Sequence, residues 1–209
     1  DPVRLRHYFV HGYSLVVSIT VPLTLFLGFF SDQIFLLLFG PKWLEAAAIF
    51  RLMTPTVLIF SLINPFGWLL FATCRQGRSL RTALVIAPIV ITACIIGLPY
   101  GPRGVAAAYS IAMALWFVPH LVWCVRGTPV GVRDLLPSIA RPILASLVAG
   151  TLGILVDRYT MADKSPLLEL LVSGSFMLAV YGVMILFVLG QGGFYRALFR
   201  DLRKITVPL

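Results

Sequence analysis

Apolar and polar positions alternate in long blocks along this chain rather than at the short periods of a water-soluble fold. Six apolar runs, at about 12–30, 46–73, 82–98, 105–125, 142–156 and 167–189, are separated by short polar pieces. A hydrocarbon layer of about 30 Å needs roughly 20 apolar residues as helix. The pattern therefore predicts an all-α integral membrane protein with about six transmembrane helices. The second run is longer than a straight crossing needs, and Pro55 and Pro65 inside it supply kink sites. The first contains Pro22, and the fifth looks short. A brief apolar run at 34–39 cannot cross and is expected to extend the end of the first helix or lie in the interface. The turn Gly40-Pro41-Lys42-Trp43 follows it, with Trp43 placed as an interfacial anchor. Residues 127–141 read as a loop with a short amphipathic helix around Leu135 and Ile139. The end, 190–209, reads as a basic amphipathic tail, a simple stop-transfer anchor rather than a partner-recognition element.

Charge sharpens this picture. Of 17 Lys and Arg, twelve fall in every second polar piece: Arg4, Arg6, Arg75, Arg78, Arg81, Arg126, Arg133, Arg141, Arg196, Arg200, Arg203 and Lys204. The intervening pieces hold Lys42, Arg103, Arg158 and Lys164. By the positive-inside rule both ends of the chain are expected in the cytoplasm, with the Gly-Pro-Lys-Trp and Tyr100-Gly101-Pro102-Arg103-Gly104 turns on the outer side. Composition agrees, with 59% hydrophobic and 12% charged residues against about a quarter charged in soluble domains. The net charge of +9 does not point to nucleic acid, because the bases lie in short loops without an aromatic-basic platform. Membrane lipid is the expected partner of that charge.

Candidate chemistry is sparse. Cys74, Cys94 and Cys124 have no metal-ligand spacing and read as small buried hydrophobes. His7, His11 and His120 are scattered and read as interfacial. No Asp or Glu lies at the centre of a run, which leaves an intramembrane proton or sodium relay without a carboxylate. The run Ala106-Ala107-Ala108 with Ser110 and Ala112 reads as a close-packing face. With no P-loop, nucleophile elbow or dinucleotide fingerprint, no enzyme activity, metal or other cofactor is expected. Opening on Asp1, with no signal peptide, the chain reads as the C-terminal part of a longer protein.

Arg51 is the exception, because it is a base deep in an apolar run. Counted from Trp43 at about 1.5 Å per residue it lies about 12 Å below the outer interface. At 100° per residue, Arg51, Thr54, Leu58, Ser61, Pro65 and Trp68 share one broad face, with Asn64 at its margin. Two readings stay open. Arg51, Thr54, Ser61, Asn64 and Trp68 line a hydrated cavity in which Arg51 meets an anionic group such as a phosphate. Alternatively, Arg51 snorkels outward or pairs with Glu45 or another span, and Asn64-Pro65 is a kink with a locally satisfied amide.

Three local patterns then coincide: Phe39-Gly40-Pro41-Lys42-Trp43-Leu44-Glu45-Ala46-Ala47, Gly67-Trp68-Leu69-Leu70-Phe71-Ala72-Thr73 with Arg78 beyond, and Gly97-Leu98-Pro99-Tyr100-Gly101-Pro102-Arg103-Gly104-Val105-Ala106. Together they resemble the C-terminal part of Wzx-type polysaccharide flippases, lipopolysaccharide biosynthesis proteins of the MATE-like superfamily, over roughly residues 1–145. The resemblance implies two helical lobes around a cavity that opens alternately to each face of a bacterial inner membrane. It also implies undecaprenyl-pyrophosphate-linked oligosaccharide as cargo, and a missing N-terminal lobe as the partner of this one. Cationic cavity residues serve such cargo, which makes Arg51 a candidate, although it matches no defined motif position. A drug or metabolite exporter of the same superfamily is the second reading, and a membrane-embedded glycosyl- or acyltransferase is the third.

Overall fold

The computed structural model describes residues 1–160 and 165–188. The described residues are almost wholly helical, with no strand among them. Helix α1 (Pro2–Phe29) starts where Asp1 caps it, its Oδ1 accepting from the Val3 N–H at 3.0 Å, and Pro2 takes the first-turn position that needs no donor. Pro22 does not end α1. It removes the N–H that would have bonded the Ser18 carbonyl, and the Tyr181 hydroxyl donates to that carbonyl at 2.6 Å instead.

The short apolar run becomes a separate helix, α2 (Ser31–Phe39), which packs beside α3 and α8. The long second run divides at Asn64 into α3 (Leu44–Ile63) and α4 (Pro65–Ala72), because Pro65 opens a new helix. At this break the Tyr13 hydroxyl donates to the Leu62 carbonyl at 3.1 Å. Pro55, by contrast, is accommodated within α3.

Helices α5 (Gln76–Gly97) and α6 (Gly101–Val125) form one continuous apolar stretch of 50 residues. Straight, it would measure about 75 Å, more than twice the hydrocarbon thickness. It turns back instead through Leu98–Tyr100, with Gly101 at φ 70°, and α5 packs along α6. The hairpin closes tightly: a Cβ on Gly97 would stand 2.6 Å from Val105 Cα. Five apolar helical stretches, one of them this hairpin, thus give six crossings.

One expectation is corrected. The segment 127–141 is not a loop holding its own helix, since α7 (Val132–Thr160) runs unbroken through Pro137 and Pro142. Its 29 residues reach about 43 Å, so the fifth crossing is not short, and Leu135 and Ile139 are core residues. Helix α8 (Pro166–Val183) ends in a π-turn, Met184–Val188. The predicted tail lies outside the described residues.

Contacts order the helices as a curved row, α5, α6, α3, α1, α7, α8. The core lies where α1 meets α4, α7 and α8, with Tyr13, Val17, Val21, Phe66, Leu135 and Met177 buried in one cluster. Leu80, Leu84 and Ile111 are exposed, as side chains bathed by lipid should be. The result is a multi-pass, all-α membrane protein.

Candidate functional site

The two classes of polar piece gather at opposite ends of the bundle. At one end Arg103 Nε lies 3.5 Å from Glu45 Oε1, and Asp157 accepts from Gln33 Nε2 and from Ser173 Oγ, each at 3.2 Å. At the other, Arg6 grips Asp134 in bidentate fashion, with Nε 2.9 Å from Oδ2, and both Arg75 and Arg78 donate to the Arg126 carbonyl. Asp134 stands in the first turn of α7, where its Oδ2 also accepts from the Gly131 N–H at 2.9 Å.

Arg51 belongs to the first of these ends. Its Nη2 forms an ion pair with Asp32, and its Nε donates to Ser31 Oγ at 3.2 Å. Pairing therefore reaches across to the first turn of α2 and not to Glu45, which faces Arg103. The side chain stays half exposed.

The other predicted residues do not converge with it. Thr54 is 8% exposed, donates to the Phe50 carbonyl at 3.2 Å and presses its methyl against Gly28, so it serves the α1–α3 contact. Ser61 donates to the Leu58 carbonyl at 2.7 Å. Trp68 is 64% exposed on α4. The helical wheel gives these side chains a common face but not what covers it: α1 packs on Thr54 and α2 pairs with Arg51. Asn64 alone of the five lines the groove described next.

That groove, about 270 Å³, lies between the α3–α4 break, α5 and α6; Asn64, Ser79, Thr82, His120 and Cys124 are its polar wall. His120 is buried inside the bundle. It is 8% exposed, stands edge-on to Phe66 and Trp116, and its Nδ1 has no hydrogen-bond partner among the described residues. Its Nε2 lies 3.4 Å from Cys124 Sγ. The two residues are one turn apart on α6, but Cys124 is 1% exposed, a placement that makes a thiol an inert hydrophobe rather than a nucleophile. Among the described residues no group of three or more His, Cys, Asp or Glu is placed to hold a metal ion.

Ser110, expected in a packing face, and Cys124, expected as a buried hydrophobe, join Met113, Trp116 and His120 in a stripe on α6 that was not assembled from sequence: all five are buried, at steps of three and four. Ser110 Oγ lies 2.9 Å from Thr56 Oγ1 and donates to the Leu52 carbonyl at 2.6 Å, bonding α6 to α3 inside the membrane. The spacing was visible, but a stripe mixing Met, Trp and Cys with Ser and His does not announce itself as polar. No family model matches the chain, and neither curated proteins nor solved structures include one similar to it.

Proposed function

We propose that this chain is part of a transporter that moves undecaprenyl-pyrophosphate-linked oligosaccharide across a bacterial inner membrane for polysaccharide export, with both of its ends in the cytoplasm. One observation carries the reading: two of the three patterns behind the resemblance form a single structural unit. Gly40 (φ 84°) and Gly101 (φ 70°) each precede a proline in a helical first turn, Pro41 leading through one short turn into α3 and Pro102 opening α6. The helices they launch pack together, joined by Glu45 and Arg103 at the mouth and by Thr56 and Ser110 further in. Chance likeness of two short segments gives no reason for them to meet. The excess of Lys and Arg at the opposite end supports the proposed orientation.

Arg51 serves this reading as a charge held in reserve. Anionic cargo that reaches it must compete with Asp32, so binding would open the contact between α3 and the first turn of α2. Deleting the gene in its source strain tests the function. The expected result is loss of surface polymer with lipid-linked oligosaccharide retained on the cytoplasmic face, restored by the intact gene. Normal polymer export in the deletion strain would sink the proposal.

A further inference from the structure

The end of the bundle that carries Arg75, Arg78 and Arg126 has more cation than its own acids can answer. Arg75 and Arg78 are partly buried, and both donate to the carbonyl of Arg126, whose own guanidinium adds a third charge to the same short segment. Arg75 also lies over Gly127: a Cβ there would stand 2.9 Å from its Nη1. Neither Arg75 nor Arg78 has a carboxylate partner among the described residues, and Asp134, at the same end, is bound to Arg6. Two guanidiniums drawn to one neutral oxygen repel one another, and an anion between them would relieve that repulsion.

A second, independent observation lies beside them. Ser79, the residue after Arg78, and Thr82, one turn after it, line a groove whose wall includes the buried, unpartnered Nδ1 of His120. The groove thus starts beside the arginines in the chain and ends at a hydrogen-bonding nitrogen inside the bundle. On the adjoining face of α5 Leu80 and Leu84 are exposed. An anion, a short polar region and an apolar chain is the order of groups in a phospholipid.

We infer that Arg75 and Arg78 bind the phosphodiester of an anionic membrane phospholipid, whose glycerol-ester region enters the groove toward Asn64 and His120 while its chains lie along α5. This site concerns a resident lipid of the basic leaflet and does not rest on the identity of any cargo.

The test uses the full chain in detergent, stripped of lipid and titrated with phosphatidylglycerol or phosphatidylcholine under native mass spectrometry. Both lipids carry the phosphodiester, but the quaternary ammonium of phosphatidylcholine would stand against the arginine cluster, so phosphatidylglycerol should bind about tenfold more tightly. The Arg75→Gln/Arg78→Gln variant should lose the preference. The Arg133→Gln/Arg141→Gln variant, which removes as much charge from the same end, should keep it. Arg75→Lys/Arg78→Lys, checked for unchanged thermal unfolding, should retain part of it, and His120→Phe should weaken both lipids without changing their ratio. Equal loss in the Arg133/Arg141 variant would overturn the site in favour of diffuse surface charge. Retention of preference in the Arg75/Arg78 glutamine variant would overturn it outright. Complete displacement of phosphatidylglycerol by millimolar inorganic phosphate would also overturn it, since a soluble phosphate ester would then be the ligand.

Discussion

The two ends of this bundle solve the problem of charge near lipid in opposite ways. At the end carrying Asp32, Glu45 and Asp157, bases and acids come in near balance and are paired across helices: Arg51 with Asp32, Arg103 with Glu45. At the other, Arg6 has Asp134 while Arg75 and Arg78 share a carbonyl. The first end is closed by contacts within the chain. The second is left open to whatever negative charge the membrane supplies. Sidedness is therefore written into the tertiary contacts as well as into the count of Lys and Arg.

The largest effect should come from forcing open the balanced end at its tightest turn. Gly97→Val places branched carbons against the Val105 backbone, and overpacking of this kind costs about 3 kcal/mol. A fall in thermal unfolding temperature in detergent, or failure to accumulate in the membrane, is expected; an unchanged transition would show that α5 and α6 are not held together there. Next comes the ion pair. Asp32→Asn leaves Arg51 without its carboxylate, at a cost of about 2 kcal/mol for a partly exposed site at this depth. Adding Arg51→Gln should recover most of that loss, and additive losses would mean that the pair is not coupled. For transport, Arg51→Ala and Arg51→Lys should separate if anionic cargo displaces Asp32, with Lys retaining polymer export and Ala losing it.

Smaller effects belong to the basic end. Asp134→Asn takes the carboxylate from the bidentate grip of Arg6 and should lower stability by about 1 kcal/mol, read as thermal unfolding in detergent. Smallest of all, Arg133→Gln and Arg141→Gln should each shift stability by under about 0.5 kcal/mol. A larger shift would mean that this end too is internally paired.

Much of the architecture was legible because the bilayer restricts the solutions so strongly. Run lengths located six crossings, and the alternation of Arg-rich and Arg-poor loops sorted them into two ends. Pro65 marked a real break, because its ring cannot follow Asn64 in a helix whose donor is needed. The fifth run was placed from 142, yet α7 begins at Val132 and absorbs both Pro137 and Pro142, each of which removes one intrahelical donor without ending the helix. The site was harder to read. Arg51 stood out by its depth, but its ion-pair partner, Asp32, and the Ser31 hydroxyl, 20 positions earlier, sit in the first turn of α2, which only packing brings alongside α3. His120 was read as interfacial from its nearness to a helix end, which says nothing of the Phe66 and Trp116 rings beside it. Distance along a helix does not reveal which neighbours cover a side chain.

The hydroxyl of Tyr181 on the Ser18 carbonyl has a mechanical consequence. Pro22 leaves that oxygen without an internal donor, and in hydrocarbon an unanswered carbonyl costs several kcal/mol. Helix α8 therefore cannot swing away from the middle of α1 unless water or another donor arrives as it leaves. The two helices should travel as one piece through any rearrangement, and a hinge is better sought at Asn64, where the backbone is already divided.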